Sequence, residues 1–315
     1  MKKKISFVLP AYNEEVNIRF IYNDIVSIFK KSWLSNKYDY EIIFVDDWST
    51  DNTANEIKKL SKKDPNVKAV IFSRNFWKEI ALTAWLEYAS WDAVITLDVD
   101  WQHPVEKIPD FIKYWEKWYK LVYNIRPVNK WAWFFKNLSS NLFYKLFNSI
   151  SDFKLEPWAT DYRLLDKRLV KEYLAFREKN RIYRWLIDWL DFKKKALVFD
   201  SYERADRTAP RYTFFKLLKL SLNSITSFSL FPLKLVWFFW LFITIISFTF
   251  LVIVLLSYLN IIKVYFTNVA VLIWFNTFLI GIVLVSMWLM SFYIANIHEE
   301  TKRRPLYIVE EKINL

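Results

Sequence analysis

Glycine is almost missing from this chain: one residue, Gly281, in 315, where ordinary usage of about 7% would supply about 22. Cysteine is absent, which excludes structural disulfides, a thiolate nucleophile and cysteine-ligated zinc. In place of glycine there is an excess of tryptophan, 17 residues. The chain is 54% hydrophobic and 25% charged, which excludes a disordered tail and suggests polar and apolar parts kept separate. The balance of 45 Lys+Arg against 33 Asp+Glu, net +12, favours anionic partners such as phosphates, a lipid surface or nucleic acid.

The charge map divides the chain. No Asp, Glu, Lys or Arg lies between Lys234 and Lys263, and none from Val264 to Ile297. A helix needs about 20 apolar residues to cross a bilayer, so each run predicts a transmembrane helix. Lys216, Lys219 and Lys234 precede the first run, Lys302, Arg303 and Arg304 follow the second, and Lys263 alone lies between them. That asymmetry predicts a multi-pass protein of the plasma membrane with both termini cytoplasmic. The opening MKKKISFVLPAYNEE has too short an apolar run for a signal peptide. The expected division is a catalytic domain over 1–210, amphipathic interfacial helices over 211–232, two spans over 233–297 and a cytoplasmic tail over 298–315. A second amphipathic face, Phe135, Leu138, Leu142, Leu146 and Ile150, is either interfacial or ordinary core.

Within the first 200 residues, Ile5–Leu9, Glu41–Val45, Ala69–Phe72 and Ala93–Leu97 read as strands separated by helix-length segments. This order implies an α/β fold, a mostly parallel Rossmann-like sheet with helices on both faces and ligands beyond the carboxyl ends of its strands. Acidic residues gather at those ends: Asn13-Glu14-Glu15 after the first, Asp46-Asp47 after the second, Asp98-Val99-Asp100 after the fourth. Carboxylates at i and i+2 in a turning chain can share one divalent ion, and Mg²⁺ or Mn²⁺ accepts such oxygen ligands while keeping positions for phosphates.

Taken together, VLPAYNEE, FVDDWSTDNT, SRNFWKEIALTAW, LDVDWQHP, WATDYRLLDKRLV, NRIYRWLIDWLDF and SITSFSLFPLKL resemble, in order and spacing, a family 2 glycosyltransferase with the GT-A fold. The similarity is to the polyprenyl-phosphate branch and runs over nearly the whole chain. It implies transfer of one sugar, with inversion, from a nucleotide-diphosphate donor to a polyprenyl phosphate (undecaprenyl or dolichyl) at the cytoplasmic membrane face, with Mg²⁺ or Mn²⁺.

The resemblance also carries roles to particular positions. Pro10, Ala11, Tyr12 and Glu14 match the loop that holds the nucleotide, with Asp46 and Asp47 helping to select it. Asp98 and Asp100 match the metal-binding pair, and Gln102 belongs to their motif. Asp161 and Arg163 match an acidic and basic pair near the reacting carbon, grouped with Asp100 as catalytic. An acceptor that is already anionic needs no strong base, so His103 is not assigned as one. The acceptor phosphate does need a cationic cradle, for which Arg126, Lys136, Arg207 and Arg211 are candidates, with Ser139 and Ser140 as hydroxyl donors. Asp206–Tyr212 is shorter than the family segment it matches, which weakens Arg207 and Arg211.

The family's motifs have glycine where this chain has Trp48, Trp77, Trp85 and Trp91; Trp101, Trp118, Trp131, Trp133, Trp158 and Trp185 join the same set. Trp115 and Trp189 read as authentic tryptophans. Glycine serves where φ is positive or backbone must approach a ligand, so the coincidence suggests UGA codons that mean glycine but were read as tryptophan, deliberate replacement being the alternative. Asp191 and Thr160 also stand at glycine positions, and UGA does not explain them.

Two other functions compete. A processive polysaccharide synthase would need more spans and Gln-x-x-Arg-Trp, whereas Arg181-Ile182-Tyr183-Arg184-Trp185 lacks the glutamine. A catalytically inactive scaffold of the same fold is disfavoured by the intact acids. No base-stacking module or basic recognition helix points to nucleic acid. The spans could pair copies into a homo-oligomer, but their composition selects no number.

Overall fold

A computed structural model of the chain describes residues 2–88, 91–100, 102–126, 148, 156, 158–179, 181–199, 231–259, 261, 267–302 and 304–315. They fall into two units, residues 1–148, 153–210 and 303–315 in the first and 149–152 and 211–302 in the second.

The first unit is built on an eight-stranded sheet. Its strands are β1 (Lys3–Ala11), β2 (Tyr38–Asp46), β3 (Val67–Phe72), β4 (Ala93–Thr96), β5 (Leu121–Ile125), β6 (Ala159–Asp166), β7 (Lys194–Val198) and β8 (Val309–Ile313), in the spatial order β7-β5-β6-β4-β1-β2-β3-β8. Pairing is parallel from β3 through β2 and β1 to β4. It is antiparallel at β4–β6, β5–β6 and β3–β8 and parallel again at β5–β7. The four strands expected from sequence form that parallel centre. Their apolar runs, such as Ile5 to Leu9 and Ile42 to Val45, are continuous rather than alternating because both faces are covered. β1, β2 and β3 extend one to three residues beyond the expected runs, and several of the added residues, Ala11, Tyr38 and Val67, are themselves in the core.

The covering helices are α1 (Asn17–Lys31), α2 (Leu34–Lys37), α3 (Thr53–Lys63), α4 (Lys78–Leu86), α5 (Ile108–Glu116), α6 (Lys167–Ala175) and α7 (Tyr183–Trp189). α1 buries Ile18, Ile21, Ile25 and Phe29, spaced three and four apart so that one stripe meets Phe7 and Leu9 in the core. α5 does the same with Ile108, Phe111, Ile112 and Trp115, and starts with a proline in its first turn, where the missing N–H has no helical partner to lose. Trp115 behaves as a true tryptophan: it is 8% exposed, and its indole N–H donates to Asp166 Oδ2 at 2.8 Å.

The last residues do more than trail. β8 runs antiparallel to β3, Tyr307 stacks on Phe72 with ring centroids 5.4 Å apart, and Asn314 Nδ2 donates to Ser61 O and Val67 O. An otherwise open sheet edge is thereby covered.

Seven described residues other than glycine have positive φ, and four of them are tryptophans: Trp48 (67°), Trp77 (71°), Trp118 (67°) and Trp158 (64°). All four belong to the set marked as glycine positions, and Asp191, marked likewise, has φ 46°. A bulky side chain in this left-handed region is a genuine outlier, whereas Asp tolerates it.

In the second unit, α8 (Phe231–Tyr258) and α9 (Asn268–Thr301) are helices of 28 and 34 residues. Among the described residues one stretch, Val271–Thr301, is long and apolar enough to cross a membrane; Phe248–Tyr258 is a shorter apolar helix. The interfacial segments expected over 134–150 and 211–232 lie outside the described residues, apart from Asn148 and the start of α8.

Candidate active site

The carboxyl ends of β1, β2, β3 and β4 point the same way because these strands are parallel. The antiparallel neighbour β6 enters at that same end. Its register pairs Thr96 with Arg163, so two residues further on Asp161 comes opposite Asp98. Thr96 Oγ1 donates to Asp161 O at 2.5 Å and secures the entry. Two acids 63 positions apart in sequence are thus made neighbours by strand pairing alone.

Lys78, the first residue of α4, reaches both. Its ammonium lies 2.5 Å from Asp98 Oδ1 and 2.8 Å from Asp161 Oδ2. Arg184, from α7, places Nε 3.0 Å from Asp161 Oδ1 and donates from Nη1 to Ala159 O at 2.9 Å. Glu79 accepts the Tyr183 N–H at 2.7 Å, which ties the start of α4 to that of α7. Burial alone would push the Asp98 carboxyl up, but the Lys78 ammonium and the nearby His103 hold it well below the carboxylate range. Burial acts likewise on Asp161, and Arg184 and Lys78 overcome it, leaving its pKa at about 2. Burial would lower Lys78, and the two acids instead raise it above the usual lysine range. Both acids are therefore ionised and Lys78 charged at neutral pH.

The nucleotide-loop candidates form a second, adjoining group. Ala11 pairs with Asp46, and Asp47 N donates to Ala11 O at 2.9 Å. Asn13 N donates to Ser49 Oγ, and Thr50 N to Asn13 Oδ1, so the loops after β1 and β2 are cross-tied. Glu14 carries the tie further: its N–H donates to Thr53 Oγ1, and its carboxylate accepts from Asn17 Nδ2. Asp46 accepts from both the backbone and the hydroxyl of Ser49. Asp47 accepts the Phe76 N–H at 2.7 Å, which anchors the loop carrying Trp77 and Lys78. Burial lifts Asp47 to about 6 despite that bond. Pro10 is partly buried, and Tyr12, with its ring 38% exposed, stands open on this shelf.

Asp100 accepts the Gln102 N–H at 3.3 Å, and Gln102 Oε1 accepts Arg126 Nη2 at 2.9 Å. Arg126, a candidate for the acceptor phosphate, is thus held beside the Asp98-Val99-Asp100 turn, with its Nε buried and lacking a hydrogen-bond partner. Arg163 is placed differently from its sequence-based expectation. It is 0% exposed, donates from Nε to Thr160 O at 3.0 Å, and sits 3.4 Å from Asp188. A guanidinium sealed inside the sheet braces β6 against α7 and cannot reach a substrate in this arrangement. The cations that meet Asp161 are Lys78 and Arg184. Lys136, Ser139, Ser140, Arg207 and Arg211 lie outside the described residues.

A divalent cation fits the donor set at Asp98 and Asp100. No group of three or more metal-ligating side chains lies together among the described residues. An ion here would take at most a few carboxylate oxygens and fill its shell from phosphate or water, as hard cations do. His103 adds an orphan: it is 2% exposed, neither ring nitrogen has a hydrogen-bond partner, and Nε2 lies 3.5 Å from Asp98 Oδ2.

Residues 6–174 match the model of the family described as "Glycosyl transferase family 2". The chain belongs to that family. It is 35% identical over 98% of its length, and 94% of the relative's, to "Uncharacterized glycosyltransferase YkcC" of Bacillus subtilis. It is 34% identical to "Bactoprenol glucosyl transferase" of Shigella phage SfV, over 98% of this chain and 99% of that protein. The "Prophage bactoprenol glucosyl transferase homolog" of Escherichia coli is 32% identical over 98% of each chain. Among solved structures, a glucosyl-3-phosphoglycerate synthase from Mycobacterium tuberculosis overlaps 71% of this chain and 78% of its own, with 20% identity and a TM-score of 0.47.

The glycosyltransferase therefore has a GT-A-like α/β sheet with its acids at one end. Sequence reasoning about single positions missed Lys78, Glu79 and Arg184. Lys78 and Glu79 lie within SRNFWKEIALTAW and Arg184 within NRIYRWLIDWLDF, so the segments were visible and the pairing was not.

Proposed function

We propose that this glycosyltransferase moves a single sugar, with inversion, from a nucleoside-diphosphate donor to a polyprenyl phosphate at the cytoplasmic face of the plasma membrane. The observation that carries this reading is the cluster of Asp98, Asp161, Lys78 and Arg184 at the open end of the sheet, in a chain alike over its whole length to bactoprenol glucosyl transferases. The donor's base and ribose would lie on Pro10, Ala11, Tyr12 and Glu14, with the base toward Asp46 and Asp47. Mg²⁺ or Mn²⁺, held by Asp98 and Asp100, would supply neutralisation of the diphosphate.

The chemistry asks little proton transfer of the protein. An acceptor phosphate oxygen attacks the anomeric carbon, the bond from that carbon to the diphosphate breaks, and the nucleotide leaves as an anion. Positioning and charge stabilisation suffice. Arg126, hydrogen-bonded to Gln102, would receive the acceptor's phosphate, with Lys136, Ser139, Ser140, Arg207 and Arg211 as further candidates. Asp161, paired with Lys78 and Arg184, would keep both cations near the departing diphosphate.

The membrane assignment draws on α8 and α9. Phe238, Phe242, Phe248 and Leu255 on α8, and Leu272, Ile280 and Leu284 on α9, are all more than half exposed, an apolar surface that water would not tolerate. Lys216, Lys219 and Lys234 before the first charge-free run and Lys302, Arg303 and Arg304 after the second, with Lys263 alone between them, support two crossings and termini on one side.

Membranes containing the enzyme, given a panel of nucleotide sugars, Mg²⁺ or Mn²⁺ and a polyprenyl phosphate, should yield an organic-extractable lipid-linked monosaccharide. No lipid-linked sugar from any donor would refute the reading.

A further inference from the structure

We propose that Lys78 is a built-in occupant of the cation position beside Asp98, which closes the acid cluster until a nucleotide arrives. The inference rests on the proposed metal-assisted donor binding. Between Asp98 and Asp161, one ammonium contacts both carboxylates at 2.5 and 2.8 Å. With Arg184 on Asp161, each of these two acids already meets a cation before any metal is added. A divalent ion entering alone on Asp98 and Asp100 meets the Lys78 ammonium already on Asp98 Oδ1 and brings no anion to receive it. An ion arriving with a diphosphate brings its own negative charge, and the released ammonium then has phosphate oxygens to meet.

The mechanics suit such a release. Lys78 opens α4, its side chain is 40% exposed, and its stem is flexible, so the ammonium has a path out of the pair without moving the sheet. Arg184 stays on Asp161 through a second anchor at Ala159 O. Lys78 is thus a positioning residue that makes metal binding depend on nucleotide.

The test is direct Mn²⁺ binding to the full chain in detergent, read by loss of the free Mn²⁺ resonance, with and without UDP or GDP. Wild type should bind Mn²⁺ at least about tenfold more weakly without nucleotide than with it. Lys78→Met should bind nucleotide-free Mn²⁺ about tenfold more tightly than wild type and lose most of the nucleotide dependence. Lys78→Arg, which keeps the charge, should behave as wild type and shows that the loop still folds. Equal nucleotide-free affinity in wild type and Lys78→Met overturns the inference. Absence of Mn²⁺ binding to all three proteins, even with nucleotide, overturns the metal-dependent reading itself.

A separate observation carries a second inference. We infer that residues 48, 77, 118 and 158 are glycine in the protein as its source organism makes it. Four of the seven positive-φ residues among the described ones are tryptophan in a chain with a single glycine, while Trp115, read as authentic, has an ordinary backbone and a buried, bonded indole. Trp77 is 74% exposed and Trp118 77%, so neither is packed into the protein as Trp115 is. Trp48 and Trp77 flank Asp47 and Lys78, so glycine there would clear two indoles from the donor shelf. Mass spectrometry of peptides from the protein isolated from its own cells decides the matter: glycine at the four positions is expected, and tryptophan at them overturns the inference.

Discussion

Replacing Trp118 with glycine should make the protein more stable, and the structure gives the size. Trp118 follows the last turn of α5: the helix ends at Glu116, Lys117 N donates to Tyr114 O at 3.0 Å, and Trp118 N donates to Trp115 O at 2.9 Å with φ at 67°. This is the left-handed position just past a helix end where glycine is usual. An L-residue there costs roughly 1–2 kcal/mol, and the greater freedom of glycine in the unfolded chain takes back roughly 0.5–1 kcal/mol. Little else is lost. Trp118 is 77% exposed, and Lys120 Nζ lies 6.0 Å from its ring centroid. The net gain is about 0.75 kcal/mol at mid-range, between about 0 and 1.5, or roughly 1.5–3 °C in melting temperature at mid-range. The assay is thermal unfolding of the full chain in detergent, with Trp118→Ala as the comparison. Alanine removes the ring but keeps the Cβ and with it the strain, so it should show no gain. If Trp118→Ala stabilises as much as Trp118→Gly, the benefit comes from losing the indole and the backbone argument is wrong.

Asp100→Ala should abolish transfer to lipid while leaving the melting temperature within a few degrees; undiminished turnover would remove Asp100 from the machinery. Asp161→Asn should lower turnover at least about a hundredfold, since one charge change disturbs both Lys78 and Arg184. Asp47, lifted to about 6 by burial, binds a proton more tightly folded than unfolded, so its contribution to stability falls as pH rises from about 4 through 6. Asp47→Asn, which keeps the acceptor for the Phe76 N–H, should therefore be stabilising at pH 7.5 and neutral near pH 4; a gain of equal size at both values would contradict the assignment. Tyr307→Ala removes the stack on Phe72 and should cost about 2 kcal/mol and promote aggregation through the bared edge of β3, measurable by melting and light scattering.

Trp77 and Lys78 share one loop. Asp47 anchors Phe76, Trp77 takes the left-handed turn, and Lys78 emerges from it onto Asp98 and Asp161. A residue that fits the turn without strain, as glycine would, places the lysine more reliably than an indole does.

The parallel centre of the sheet, the acids at its strand ends and the two long apolar helices were determined by the sequence itself, because each is local. A continuous apolar run marks either a strand covered on both faces or a helix with no polar face, and loop acids follow strands by simple adjacency. The glycine positions were equally plain, since a missing residue type leaves its mark on composition before any fold exists. What only the tertiary structure decided depends on pairing between distant segments. The register of β6 against β4 sets Asp161 opposite Asp98 and seals Arg163 two residues deeper, though in sequence the two look like one motif. The arrival of Lys78 and Arg184 at that spot, and the return of residues 309–313 to cover β3, are likewise set by strand order, which no single stretch of sequence contains.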